Sequence, residues 1–396
     1  MDASTILKQL ACAGDAFKEN EPGSREELIA RSRALIAALE LPSEFILQTL
    51  WAEPARSAII RLAVDVHLFQ HIKEAAPAGL SLAALSQKTG VELDLLTRLI
   101  RHLVAVNVLV FHPGGIHGTA LSDSLADERY QRTILCCYDV VWRALEAMPA
   151  YFKNNAYRSP TPGGTDGPFH QAHGTNLGLF DWIIATPSQL QNFDALMKTY
   201  RAGKVNWFAE GFYPVSQRLV CGFDLKIGDA FLVDVGGGEG HDVAALVGTY
   251  ENLPGKVVLQ DRKPVLASIS NGAEGRAFEI QSYDFFTRQP VKGARAYFLH
   301  SILHDWCDED GVRILENLVP ALVKGYSRVL LYEIVVSEEK PTLAATTMDL
   351  VMICHFGTRE RTEVEWRRIL GRVGLRVVGI YTYPGVAESL IEAELA

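Results

Sequence analysis

Positive charge is in short supply in this chain. Its 38 Lys and Arg stand against 47 Asp and Glu, a formal net charge of −9 with a pI near 5.7. A partner held through nucleic-acid phosphates needs clustered basic residues, so this balance argues against one. No uninterrupted apolar run approaches the ~18 residues of a membrane helix, and no span is expected. The opening Met1-Asp-Ala-Ser-Thr-Ile-Leu-Lys8 has neither a basic n-region nor an apolar core, so no secretory signal is expected. Six cysteines (12, 136, 137, 221, 307 and 354) make no C-x-x-C pair and have no accompanying His pattern. That argues against zinc and disulfide frameworks and for reduced side chains in a cytoplasmic protein. Internal repeats and low-complexity tracts are missing as well. What is there, 48% hydrophobic and 21% charged over 396 residues, is the composition of a globular chain with room for two or three domains.

The most informative stretch is Phe231-Leu-Val-Asp-Val-Gly-Gly-Gly-Glu-Gly240. Phe231 to Val235 suits a buried parallel strand, and the glycines let the backbone turn sharply and approach a ligand closely. His241-Asp-Val-Ala-Ala-Leu246 reads as the helix that follows, which places the ligand at a strand's carboxyl end and a helix N-terminus. The next apolar run ends in Asp261, twenty-one residues after Gly240 (261 − 240), where a nucleotide-binding β-α-β unit carries its ribose carboxylate. A dinucleotide G-x-G-x-x-G starting at Gly236 would need glycine at 241, and His241 stands there. The pattern present, Asp234-x-Gly236-x-Gly238-x-Gly240, resembles the first motif of class I S-adenosylmethionine-dependent methyltransferases. That cofactor has no pyrophosphate to neutralise.

Around this stretch the chain divides into three. Residues 1–125 hold an amphipathic helical arm, one helix over 58–69, another opening at Ser81, and a third over 92–107. A hairpin through Pro113-Gly-Gly115 completes a winged-helix pattern. Arg98, Arg101 and His102 beside Glu92 and Asp94 are too little positive charge for DNA, so packing or dimerisation is the expected role. Residues 126–225 are helical and rich in aromatics. Most of those must be core, while Phe169, His173 and Trp182 are candidates to line an apolar pocket for a flat substrate. Residues 226–396 alternate strands and helices, with strands expected at 230–235, 256–261, 276–280, 295–300, 327–335, 374–381 and 387–393. That is a doubly wound α/β sheet of seven strands.

Two further segments carry chemistry. Gln281-Ser-Tyr-Asp-Phe-Phe286 places Asp284 at a strand end, either to accept an adenine amine with Tyr283 or Phe285 packed on the ring or simply to cap its loop. Tyr297-Phe-Leu-His-Ser-Ile-Leu-His-Asp-Trp306 sets His300 and His304 four apart without a third ligand at helical spacing, so no metal site is expected. His304 is the better candidate for a general base, because an imidazole with an ordinary pKa near 6.5 removes protons at neutral pH.

Leu303-His-Asp-Trp306, the glycine motif and Arg361-Thr-Glu-x-Glu-Trp366, in that family's order, make the chain similar to the O-methyltransferases that include plant caffeate and flavonoid enzymes and fungal polyketide enzymes. The resemblance implies a Rossmann-like methyltransferase sheet behind a winged-helix dimerisation domain, and a homodimer. It implies S-adenosylmethionine as cofactor and His304 as the base that deprotonates the acceptor hydroxyl. Glu333 and Glu360 would orient that base. Met348, Met352, His355 and Phe356 recur at helical spacing before Glu360 and form either a pocket wall or plain core. His300 stands where plant members carry a lysine near the cofactor. The aromatic middle segment is closer to the fungal branch, so an aromatic polyketide hydroxyl is the expected acceptor. A competing expectation is a fungal enzyme of this fold that keeps S-adenosylmethionine but catalyses a dehydration or pericyclic rearrangement. A winged-helix regulator is the third.

Overall fold

The computed structural model describes residues 2–270 and 277–396. Two compact units emerge. One comprises Met1–Ala11, Ala30–Asn154 and Pro168–Ala202, and the other Cys12–Ile29, Asn155–Gly167 and Gly203–Ala396. The aromatic segment 126–225 is thus divided between them.

In the first unit, helices Glu53–Asp65, Leu68–Glu74, Leu82–Thr89 and Leu93–Ala105 precede an antiparallel hairpin of β1 (Leu109–His112) and β2 (Gly115–Gly118). The helix expected over 58–69 is two, because His67 takes a left-handed φ of 50° and redirects the chain. That break turns Leu68, Phe69 and Ile72 into the core. Helix Leu93–Ala105 buries Leu96, Ile100 and Leu103, one face at helical spacing, against Leu85, Leu109 and Ile116. Ser81 caps its helix by accepting the Ala84 amide at 3.2 Å.

The second unit is built on a sheet of β3 (Ala230–Val235), β4 (Lys256–Asp261), β5 (Glu279–Ser282), β6 (Ala296–His300), β7 (Arg328–Val336), β9 (Leu375–Tyr381) and β10 (Glu388–Leu395). The spatial order is β5-β4-β3-β6-β7-β10-β9, with β8 (Arg361–Thr362) pairing alongside the end of β7. All pairings are parallel except those of β10, which runs antiparallel to both neighbours. The expected third strand began at residue 276, which lies outside the described residues; β5 is described from Glu279.

Alternate residues of the central strands serve two cores, Val233, Tyr297, Leu299 and Leu331 on one face and Leu232, Phe298 and Leu330 on the other. Strand order reverses between β3 and β6, which opens a crevice at their carboxyl ends. The glycine motif leaves β3 there, and the His304 segment leaves β6. No helix among the described residues is long and apolar enough to cross a membrane.

Candidate active site

The carboxyl end of β3 runs directly into the glycine loop. Gly236 has a φ of +75°, and a Cβ there would stand 2.6 Å from Ile302 Cδ1 and 3.7 Å from the Phe285 ring. At Gly237 a Cβ would lie 2.3 Å from an Asp234 carboxylate oxygen, so that wholly buried acid sits beneath the loop. Gly238 has no heavy atom within 4 Å of where a Cβ would be, and its amide donates to Asp261 Oδ2 at 2.8 Å. Asp261 Oδ1 accepts the Arg262 amide at 2.6 Å, and burial raises its pKa. The acid at the end of β4 is thereby tied to the glycine loop that ends β3. Gly240 precedes helix His241–Thr249.

The other residues expected near a cofactor divide. Phe285 makes edge contacts with Phe286 and Trp306, at centroid distances of 5.2 and 5.9 Å, forming an aromatic wall beside Gly236. Asp284 is exposed and accepts the Phe286 amide at 3.0 Å, the turn-capping arrangement. His300 Nδ1 meets Asp242 Oδ2 at 2.8 Å, in the first turn of the helix after the glycine loop, and its ring lies 4.6 Å from Tyr332.

His304 lies on the single turn Leu303–Asp305 that follows β6. Its Nδ1 is 2.8 Å from Glu360 Oε1 and 4.0 Å from Glu333 Oε2, and its Nε2 is 3.5 Å from Asp305 Oδ1. Glu333, on β7, accepts the amides of Ile302 and Leu303 through Oε1 at 3.0 and 2.8 Å. The Glu360 amide donates to Asp349 at 2.9 Å, which fixes the residue that faces the imidazole. The structure therefore brings His304, Glu333 and Glu360 together, all buried. Burial works to lower the histidine's pKa, but the carboxylates of Asp305, Glu333 and Glu360 outweigh it and raise it to about 10. Burial pushes Asp305 and Glu333 up to about 7. The three residues also offer ligand atoms within 4.8 Å of one another, a spacing a metal ion can use. Here Nδ1 of His304 is committed to Glu360 and Oε1 of Glu333 to two amides.

A family model for the O-methyltransferase domain matches residues 161–376, and one for the O-methyltransferase dimerisation domain matches 52–138. The O-methyltransferase mpaG of Penicillium roqueforti is 56% identical over 393 residues, 99% of this chain and 98% of its own length. The chain belongs to the O-methyltransferase family. Among solved structures, one described as a pericyclic reaction enzyme aligns with a TM-score of 0.89 at 26% identity, over 99% of this chain and all of its own. The structure of LepI in complex with SAM also gives 0.89 at 26% identity, with full coverage of both chains. The enzyme uses S-adenosylmethionine to methylate oxygen on a small molecule. Its glycine loop, open at Gly238 and flanked by Asp261 and Phe285, fits that cofactor.

The residues expected to meet substrate fall in two places. In the first unit Phe169, His173 and Trp182 form a ring cluster, with His173 4.8 Å from each of the other two and those two 5.6 Å apart, edge to face. The His173 Nε2–H donates to the Val140 carbonyl at 3.2 Å, and burial lowers its pKa, so the neutral ring keeps an accepting Nδ1. In the second unit Met348, Met352, His355 and Phe356 lie on helix Leu343–Phe356, which packs on the His304 turn. Met352 and His355 are buried, and His355 Nδ1 donates to the Val351 carbonyl at 2.9 Å. Met348 and Phe356 are half-buried. Sequence reasoning passed over Gly237, Asp242, Asp305 and Asp349. Asp305 had a signal in the His-Asp-Trp motif itself, and Gly237 in its place within the glycine run. Asp242 and Asp349 had none, since their partners are 58 and 11 residues away.

Proposed function

We propose that this enzyme methylates a phenolic or enolic hydroxyl of an aromatic secondary metabolite of polyketide type, with His304 as the general base. The observation that carries the proposal is the buried His304–Glu360 contact of 2.8 Å at the crevice where the glycine loop turns. A phenol ionises near pH 10, as tyrosine does, so it needs a base to become a good nucleophile at neutral pH. When bound, S-adenosylmethionine supplies an electrophilic methyl group. Glu360 holds Nδ1–H of His304, which leaves Nε2 to take the acceptor's proton, and the charge formed on the imidazole is stabilised by the carboxylates around it. Glu333 pins the turn through its two amide bonds. Asp261, Phe285, His300 with Asp242, and the loop over Asp234 shape the cofactor end; Asp284 stands at its rim. Orientation is the larger part of catalysis in such a displacement, and the proton path uses no metal. The aromatic acceptor class rests on the resemblance of the aromatic-rich segment to the fungal branch of the family, within which Phe169, His173 and Trp182 form one ring cluster. Met348, Met352, His355 and Phe356 are proposed to form the wall behind the base. A rearrangement reading draws on a neighbour at 26% identity, against 56% for the methyltransferase relative. Six free thiols accord with a cytoplasmic setting.

The pH dependence follows from the site's charges. Proton removal needs neutral imidazole, and a pKa raised to about 10 leaves that form a minority at pH 7. The value of kcat/KM is therefore expected to rise with pH through neutrality and to level off only on the alkaline side. Glu360→Gln removes one stabilising carboxylate, so the rise should move to lower pH while the maximum falls. A profile in Glu360→Gln that keeps the wild-type midpoint would separate the carboxylate from the base.

For assembly, we propose a homodimer that uses the segment just before the dimerisation match. Leu39, Phe45, Leu50 and Trp51 are 64%, 58%, 66% and 71% exposed, an apolar run that a monomer has no reason to keep in water. Leu50→Glu combined with Trp51→Glu is expected to yield monomers in light scattering at micromolar concentration. A monomeric wild type would overturn the assignment.

A further inference from the structure

A buried cation sits one residue from Glu360, and the proton path described above gives it no part. Arg361 is 1% exposed, and its guanidinium stacks over Trp366 at 5.2 Å. Nη1 donates to the Leu303 carbonyl at 2.6 Å and Nη2 to the Trp306 carbonyl at 2.6 Å, while Nε donates to Asp308 Oδ1 at 3.0 Å. Leu303 and Trp306 bracket His304 and Asp305, so one planar group holds both ends of the turn that carries the histidine. Glu333 grips the same turn through the amides of Ile302 and Leu303. The backbone of Arg361 pairs with Val335 at the end of β7, the strand that bears Glu333. Asp308 in turn accepts Arg368 Nη2 at 2.8 Å, which fixes the carboxylate that anchors Nε.

We propose that Arg361 is a positioning residue for His304, its forked guanidinium setting the turn so that the imidazole meets Glu360 through Nδ1 and offers Nε2 to the acceptor. The inference rests on the general-base role of His304 proposed above. Lysine cannot replace this arrangement, because one ammonium on a flexible stem lacks the rigid fork that spans two carbonyls and a carboxylate. The dipeptide Glu360-Arg361 thus holds the histidine twice, by its ring and by its backbone. A cation that served the core alone would be indifferent to whether residue 304 is a histidine.

The test uses the full-length enzyme with ¹⁵N-labelled histidine, comparing wild type, Arg361→Lys and Asp308→Asn, with His304→Ala to assign the signal. Arg361→Lys keeps the positive charge, so a change in the imidazole's titration reports geometry. It is expected to move the His304 titration down by about one pH unit or more, as contact with Glu360 loosens. The kcat should fall about 10- to 100-fold with KM for S-adenosylmethionine within about twofold, the scale of a small misplacement of the base. Asp308→Asn should move both in the same direction by less. Added to His304→Ala, Arg361→Lys should cost no further activity. A His304 titration unmoved in both variants, or an undiminished penalty in the His304→Ala background, overturns the inference. If Arg361→Lys does not fold, Asp308→Asn carries the same decision. Titration needs no turnover, so the positioning inference and the base assignment fail separately: full activity in His304→Ala with a shifted titration in Arg361→Lys would sink the base alone.

Discussion

His304→Ala is expected to lower transfer of labelled methyl from S-adenosylmethionine by roughly 10²–10⁴-fold, the range that a positioned general base contributes. Alanine removes the nitrogen proposed to take the acceptor's proton and leaves Glu360 and Glu333 in place. The glycine loop belongs to β3 and its tie to Asp261 of β4 does not pass through residue 304, so calorimetric affinity for the cofactor should change by less than about threefold. The falling rate should therefore appear in kcat, with the cofactor KM little altered. Raising the pH is expected to restore part of the lost rate with acidic phenols, since their own ionisation then replaces the missing base. Undiminished transfer in the variant would show that the proton leaves by another route. Loss of cofactor binding alongside activity would show that the turn supports the pocket and not only the chemistry.

The second large effect concerns stability. Glu392→Ala is expected to destabilise the enzyme by about 3–5 kcal/mol, because removing one member of a buried ion pair strands the others. Glu392 lies on β10 with no exposure, and it accepts both forks of Arg218, at 2.9 and 2.7 Å. Arg328 approaches its other side at 3.1 Å, and the Tyr381 hydroxyl donates to it at 3.1 Å. Glu394, two residues along the same face, is paired to Arg328 and Arg376. This network sits where β10 enters antiparallel between β7 and β9. In a unit of this size the loss corresponds to a fall in Tm of about 6–20 °C, read by circular dichroism. Arg376→Ala is the control. Its side chain is 65% exposed, and its removal should cost no more than about 1 kcal/mol. Comparable losses in the two variants would show that burial does not set the energetics here.

Neither network was visible in the sequence as a network. Arg218 and Glu392 are 174 residues apart, and the pattern of Glu388-Ser-Leu-Ile-Glu-Ala-Glu394 marks a strand without naming partners for its acids. It is the buried penultimate strand, and its acids are tolerated because arginines from a helix and a neighbouring strand meet them. The helix expected over 58–69 shows a related blind spot. Apolar spacing continues through Val66 and His67, so nothing local announces the left-handed residue that splits it. Asp284 was open to two uses, and the structure shows the local one, an amide two residues on.

Other features were local enough to be legible. The apolar run Phe231–Val235, the glycines after it and Asp261 at the next strand end determined a nucleotide-type crevice, because strand period, backbone freedom and chain reach all act over short spans. The His-Asp-Trp and Arg-Thr motifs likewise singled out His304, Glu333 and Glu360 as the candidates for the chemistry, through their likeness to a family. Only the tertiary structure decided that Glu333 would bind the turn by its amides while Glu360 bound the ring, that Asp305 would crowd the free nitrogen, and that Arg361 would clamp the carbonyls on either side. Those are contacts between residues 30 to 58 positions apart, together with one between adjacent residues. Their strength comes from burial, which removes competing water, and burial is a property of the folded sheet that no stretch of sequence possesses alone.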